Sequence, residues 1–307
     1  MQEGSKKAVI AAFLANSGLA IAKFVGFFIT GASSMLAEGV HSVADSGNQG
    51  LLLLGASRAR LPQTAVHPFG YGRERYFWAF VVSLVIFLLG GVFAIYEGVH
   101  KLRDPEPISS PLVGVGILTF GVMLEGWSFF TAVKEARVQR GDQSWWSFIR
   151  TTKAAELPVI LLEDLGALLG LILALLGIGL AILLGDPRFD AIGSISIGVL
   201  LTVIAALLSI EMRSLLVGES ASPRVLDQIV DALSAGEHVK KVIHMRTSHL
   251  APDELLVAAK VEFTGSLTSG ELADQIDAAE TRVREQVPMA RFIYLEPDIH
   301  RQARSNE

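Results

Sequence analysis

Apolar residues dominate the chain from residue 8 to about 212, and polar positions cut that stretch into six runs, approximately 8–29, 34–56, 76–99, 111–133, 157–184 and 189–212. Each run is near or above the ~20 residues a helix needs to cross the hydrocarbon core of a bilayer. The second run carries His41, Asp45 and Asn48. Its apolar signal is weaker, and its helix is expected to face protein rather than lipid. Gly18, Gly26, Gly90, Gly91, Gly166 and Gly170 suit close helix packing, or are simply small lipid-facing residues. Trp145, Trp146 and Phe148, followed by Arg150 and Lys153, predict a short interfacial helix.

After residue 215 the period changes. Ser222 is a plausible N-cap for a helix from Pro223 to about Ala235, with proline in the first turn. Strands are expected over Val239–Ser248 and Glu254–Thr264, the second alternating Leu255, Val257, Ala259, Val261 and Phe263 on one face. Thr268 or Ser269 opens a helix to about Gln286, and Arg291–Leu295 forms a last strand. The pattern therefore predicts an α-helical polytopic membrane protein of six transmembrane helices (1–215). An α+β, ferredoxin-like αββαβ domain (216–307) with helices on one face follows it.

Charge sets an orientation. Arg58, Arg60, Arg73 and Arg75 lie between runs two and three, and Lys134, Arg137, Arg140, Arg150 and Lys153 between four and five. The intervening loops carry fewer bases, so the positive-inside rule puts both termini in the cytoplasm. From residue 219 onward there are 15 acids and 10 bases, so the whole net charge of −5 belongs to the tail and argues against nucleic-acid binding. The chain has no cysteine, which leaves imidazole and carboxylate as the strong metal ligands. Residues 1–7 lack the cleavage pattern of a signal peptide, so the first run is expected to be a retained helix.

Ionisable residues at bilayer depth are costly and mark functional sites. In HSVADSGNQ, His41 and Asp45 stand four apart and share a helix face, with Asn48 on an adjoining face. A buried polar pair satisfying helix contacts is the plainer alternative to metal ligation. In VILLEDLGALLG, Glu163 and Asp164 point about 100° apart, so one faces a site while the other meets a neighbouring helix or water. Asp164 is the preferred ligand and Glu163 the second choice.

With HSVAD in run two, HPFGYGRERYFW leading into run three, six spans and an αββαβ tail, the chain resembles the cation diffusion facilitator family of metal/proton antiporters over nearly its whole length. The resemblance implies that His41 and Asp45 form the helix-two half of a transport site, with Asn16 and Lys23 at recurrent polar positions of helix one. Many members carry histidine four residues before the helix-five aspartate. Here that position is Ile160, and the Glu-Asp pair resembles a divergent branch with a mitochondrial member in animals. It also implies degraded accessory sites. His67 matches a loop ligand, but Tyr71 stands where a second histidine is common. His244 and Glu296 match a tail site in which Lys260 and Tyr294 replace histidines, and there a plain surface histidine is the favoured reading of His244. The tail is then expected to hold a homodimer through apolar contacts.

The expected function is efflux of a divalent cation, zinc before manganese, iron or cobalt, in exchange for protons, with the metal as substrate and no prosthetic group. The expected surroundings are membrane lipid, in a bacterial plasma membrane. No P-loop suggests a nucleotide-driven pump, and no HExxH suggests an enzyme. A metal-binding regulator that does not transport, and an intramembrane metalloenzyme, are the competing classes.

Overall fold

The computed structural model describes residues 3–299, with side chains from residue 17 onward. Asn16 therefore lies outside the described side chains. The helices are α1 (Glu3–Thr30), α2 (Ser33–Arg58), α3 (Glu74–Val85), α4 (Phe93–Arg103), α5 (Pro111–Arg140), α6 (Trp145–Thr151), α7 (Glu156–Leu184) and α8 (Arg188–Val217). A π-helical turn, Ile86–Val92, joins α3 to α4, so that Glu74–Arg103 is one continuous helix. Among the described residues four helices are long and apolar enough to cross a membrane: Glu74–Arg103, α5, α7 and α8. The described part of α1 that is apolar, Ser17–Thr30, is shorter. In α2, Glu38, His41, Asp45 and Asn48 dilute the apolar character along one buried face.

Several helices meet backbone to backbone. A Cβ added at Gly198 of α8 would stand 2.7 Å from the Gly91 carbonyl, and one at Gly98 of α4 would stand 2.8 Å from that of Ala191. Of the six glycines expected to serve packing, Gly26, Gly90, Gly91, Gly166 and Gly170 each lie against a neighbouring helix, whereas Gly18 faces open space. The short helix expected at Trp145 is present as α6. Ser144 caps it by accepting from the Ser147 amide, and the Arg140 guanidinium lies 4.7 Å over the Trp145 ring.

The start of α2 is held from another helix. A helix N-terminus presents amides without internal acceptors, and its own N-cap, Ala32, has no side chain to offer them. Asp190 of α8, fully buried, accepts from the amides of Ser33 (2.8 Å) and Ser34 (3.4 Å) and from both serine hydroxyls. Ser194 donates to Ser33 Oγ at 3.0 Å. The Lys101 ammonium of α4 donates to the Gly31 carbonyl and stands 3.9 Å from Asp190 Oδ2.

The chain divides into two compact units, residues 1–59 with 74–213 and residues 60–73 with 214–307. The interhelical segment 60–73, which the boundary at 215 leaves with the helices, thus clusters with the tail. There Phe69 packs edge-on against Phe292 with ring centroids 5.4 Å apart. The tail comprises α9 (Pro223–Ser234), β1 (Val239–Ala251), β2 (Glu254–Phe263), α10 (Ser269–Gln286) and β3 (Ala290–Pro297). Its sheet runs β1-β2-β3, antiparallel then parallel, with α10 making the crossover that a parallel pair requires. Leu255, Val257, Ala259 and Val261 bury one face of β2 in a core with Ile229, Leu233, Ala279 and Val283 of the two helices.

A capping box fixes the start of α10. Thr268 Oγ accepts from the Glu271 amide, and Glu271 Oε2 accepts from the Thr268 amide at 2.7 Å. The Thr268 amide, and then its hydroxyl, hold the Glu271 carboxyl below its ordinary value. A folded-state value below the unfolded one stabilises above the ordinary glutamate range, and that contribution is lost as pH falls through the folded value. Thr268→Ala should cost the tail about 1 kcal/mol, and, since alanine keeps the amide, it should lessen without abolishing the fall in stability from neutral to acid pH, as read by thermal unfolding of the full-length protein.

Candidate metal site

Glu38, His41, Ser42, Asp45 and Asn48 recur at spacings of three and four along α2 and form one buried stripe. Opposite its first turn stands Lys23 of α1, fully buried, whose ammonium donates to Glu38 Oε2 (2.9 Å) and Ser42 Oγ (2.7 Å). This pair closes its own charge. A buried ammonium without a carboxylate would be far more costly.

His41 Nδ1 lies 3.4 Å from Asp45 Oδ1, outside hydrogen-bonding geometry, and neither ring nitrogen has a hydrogen-bond partner. Asp45 Oδ1 and Asn48 Oδ1 are likewise buried without partners. Buried polar atoms are almost always satisfied, so four orphans in two helical turns require an explanation. Gly90 in the π turn lies beside the imidazole, where a Cβ would stand 3.7 Å from His41 Nδ1, an ordinary contact, but only 2.8 Å from Leu201 Cδ1 of α8.

From α7, Glu163 accepts from Asn48 Nδ2 at 3.1 Å, and its carboxyl is an electrostatic neighbour of that of Asp45. Two buried carboxyls so placed disfavour ionising together, because like charges repel in a poorly solvated site. Asp164, which the sequence places ahead of Glu163, faces another way. It accepts from Ser128 Oγ of α5 at 3.1 Å and lines a cavity. The structure thus brings His41, Asp45, Asn48 and Glu163 together and sets Asp164 to one side. Among the described residues no three His, Asp or Glu groups converge as a ready-made metal cage. The arrangement is a pair of neighbouring carboxyls beside an imidazole whose nitrogens have no hydrogen-bond partner.

The accessory positions lie in the tail unit. His67 is exposed, its ring 4.5 Å from that of Tyr71. His244, Lys260 and Glu296 fall in one row across the sheet. Lys260 Nζ pairs with Glu296 Oε1 (3.0 Å) and Asp298 Oδ2 (3.2 Å), and these hydrogen bonds, that to Glu296 first, push its ammonium up from the ordinary value. His244 Nε2 accepts from Arg246 Nε. A cation thus occupies the middle of the row and engages its carboxylate.

Three groups escaped the sequence reading. Glu38 and Glu125 are acids inside apolar helical runs, and the cost of an intramembrane charge flags both when applied evenly. Asp190 sits at the start of α8, where an acid is ordinary on the helix-dipole argument, and no local pattern distinguishes it.

Residues 9–217 match the family model of the cation efflux transmembrane domain. Over 277 residues, 90% of this chain, the sequence is 30% identical to the proton-coupled zinc antiporter SLC30A9, mitochondrial, of Mus musculus, of which the match covers 49%. It is 29% identical over 270 residues, 86% of the chain, to metal tolerance protein C4 of Arabidopsis thaliana, covering 58% of that protein. A shorter match, 28% over 117 residues, joins 38% of the chain to 36% of the zinc transporter ZitB of Pectobacterium atrosepticum. The chain spans about half the length of the first of these relatives.

Proposed function

This chain belongs to the cation efflux family, and on that premise we propose that it carries zinc across a membrane in exchange for protons. Six crossings, formed by α1, α2, the continuous helix through α3 and α4, α5, α7 and α8, enclose the path. Both termini lie on the cytoplasmic side, and the tail, with the ferredoxin-like order of elements, pairs two copies.

The observation that carries this reading is the cluster on α2 and α7. The orphaned nitrogens of His41, the orphaned oxygens of Asp45 and Asn48, and the Glu163 carboxyl form a donor set of one imidazole and several oxygens. Such a set suits four-coordinate zinc. A metal ion entering it displaces any proton that Asp45 or Glu163 carries, because ligands must be deprotonated to bind. Metal and proton then occupy the same groups alternately, which is the requirement for exchange. The names of the relatives, a proton-coupled zinc antiporter and a zinc transporter, support the same cargo.

The test is flux in proteoliposomes holding the purified full-length protein. Zinc is expected to move against an imposed pH gradient, with a pH dye inside reporting protons moving the other way. Manganese, iron and cobalt, which an oxygen-rich set also accommodates, are run in the same vesicles to rank the substrate. Zinc flux indifferent to the pH gradient would refute exchange. A folded protein that binds zinc but moves no divalent ion would make it a metal-binding regulator.

A further inference from the structure

A cavity of about 990 Å³ opens between α1, α2, α5 and α7. At one end its wall carries Glu135, and Glu156 paired to Arg75 at 2.5 Å. Glu125 stands ten residues before Glu135 on α5, and Asp164 eight after Glu156 on α7. At 1.5 Å per residue both lie roughly 12–15 Å deeper along the helices.

Glu125 is 9% exposed, lines this cavity, and has neither a hydrogen bond nor an ion pair among the described residues. Its charged neighbours are first the Lys23 ammonium, which Glu38 already pairs at 2.9 Å, and then Asp164 and Glu38; Ser128, one turn along α5, holds Asp164 at 3.1 Å. The two helices of the buried cluster each present adjacent polar residues, one to each place. On α2 Asn48 turns to Glu163 while Gln49 lines the cavity, and on α7 Glu163 turns to Asn48 while Asp164 lines the cavity. Two carboxyls, a hydroxyl and a carboxamide form an all-oxygen set, one that suits a divalent cation retaining part of its water.

We infer that Glu125 and Asp164, with Ser128 and Gln49, form a second divalent-cation site at the deep end of the cavity, distinct from the His41 cluster and one helix face away from it. An ion held there is partly hydrated and next to the imidazole site, so it is a waiting position on the way to the buried groups. The inference takes the His41 cluster as the transport site, as proposed above.

Full-length protein in detergent, dialysed against zinc, is expected to hold two ions per chain that differ in affinity. Glu125→Gln should remove the weaker and keep the tighter, while His41→Ala should do the reverse. Glu125→Asp, which retains the charge, should keep both. In vesicles Glu125→Gln should raise the zinc concentration for half-maximal flux about tenfold, the scale on which acidic clefts concentrate ions, with little change in maximal rate. A single ion in the wild type, unaffected by Glu125→Gln, would overturn the second site and leave the transport reading standing. A single ion lost in Glu125→Gln and kept in His41→Ala would uphold the cavity site and overturn the buried one. No bound ion at all would overturn both.

Discussion

Asp45→Asn is expected to lower proton-driven zinc flux by about a hundredfold or more, the scale at which even supporting residues of metal sites affect affinity, while the protein unfolds at the parent's temperature. Asp45 is the residue that faces both halves of the cluster, with His41 Nδ1 at 3.4 Å and the Glu163 carboxyl its electrostatic neighbour. Asparagine has nearly the same shape and can still meet Glu163, but it neither releases a proton nor supplies a charged ligand. Glu163→Gln should follow it, because Glu163 faces the same cluster through Asn48. Asp164→Asn should instead resemble Glu125→Gln and shift the concentration dependence. Flux abolished by Asp164→Asn but retained in Glu163→Gln would reverse the assignment of the two acids. Flux retained in Asp45→Asn would remove the cluster from the transport path.

Asp190→Ala should have the largest effect on stability, about 3–5 kcal/mol, the cost of removing one member of a buried ion pair. It leaves the Ser33 and Ser34 amides without an acceptor and the Lys101 ammonium without a carboxylate. For a protein of this size that loss corresponds to a melting temperature lower by roughly 10 °C, measured in detergent. Combining it with Lys101→Met should recover part of the loss, since the stranded charge goes while the uncapped helix remains. An Asp190→Ala protein that melts with the parent would mean that α2 is held by its side-chain packing alone.

Length and hydropathy made the four apolar helices from Glu74 onward legible, and the alternation from Leu255 to Val261 made β2 legible, because both signals are local and periodic. The start of α10 was legible to within one residue, as Thr268 or Ser269. Which of Glu163 and Asp164 turns toward α2 was not. The two differ by one residue's rotation, and the azimuth of α7 is set by its contacts with α2, α5 and α8. Asp164 was preferred, yet the histidine that many family members carry four residues before the helix-five aspartate is Ile160 here. Asp190 was illegible for a related reason. Its partners lie 156 and 157 residues away, and Ala32 gives no hint that the α2 N-terminus is capped at all.

The π turn has a consequence for counting. Buried positions on the helix from Glu74 recur seven apart at Tyr76, Ser83 and Gly90, then resume at Gly91 and Gly98. The phase has slipped by one residue, as an inserted residue in a widened turn requires. Everything beyond Gly90 is therefore rotated by roughly 100° from where unbroken α-helical turns would bring it. Lys101 owes its place beside Gly31 and Asp190 to that slip. In a helix without the extra residue His100 would arrive there instead, and the ammonium would face a different neighbour.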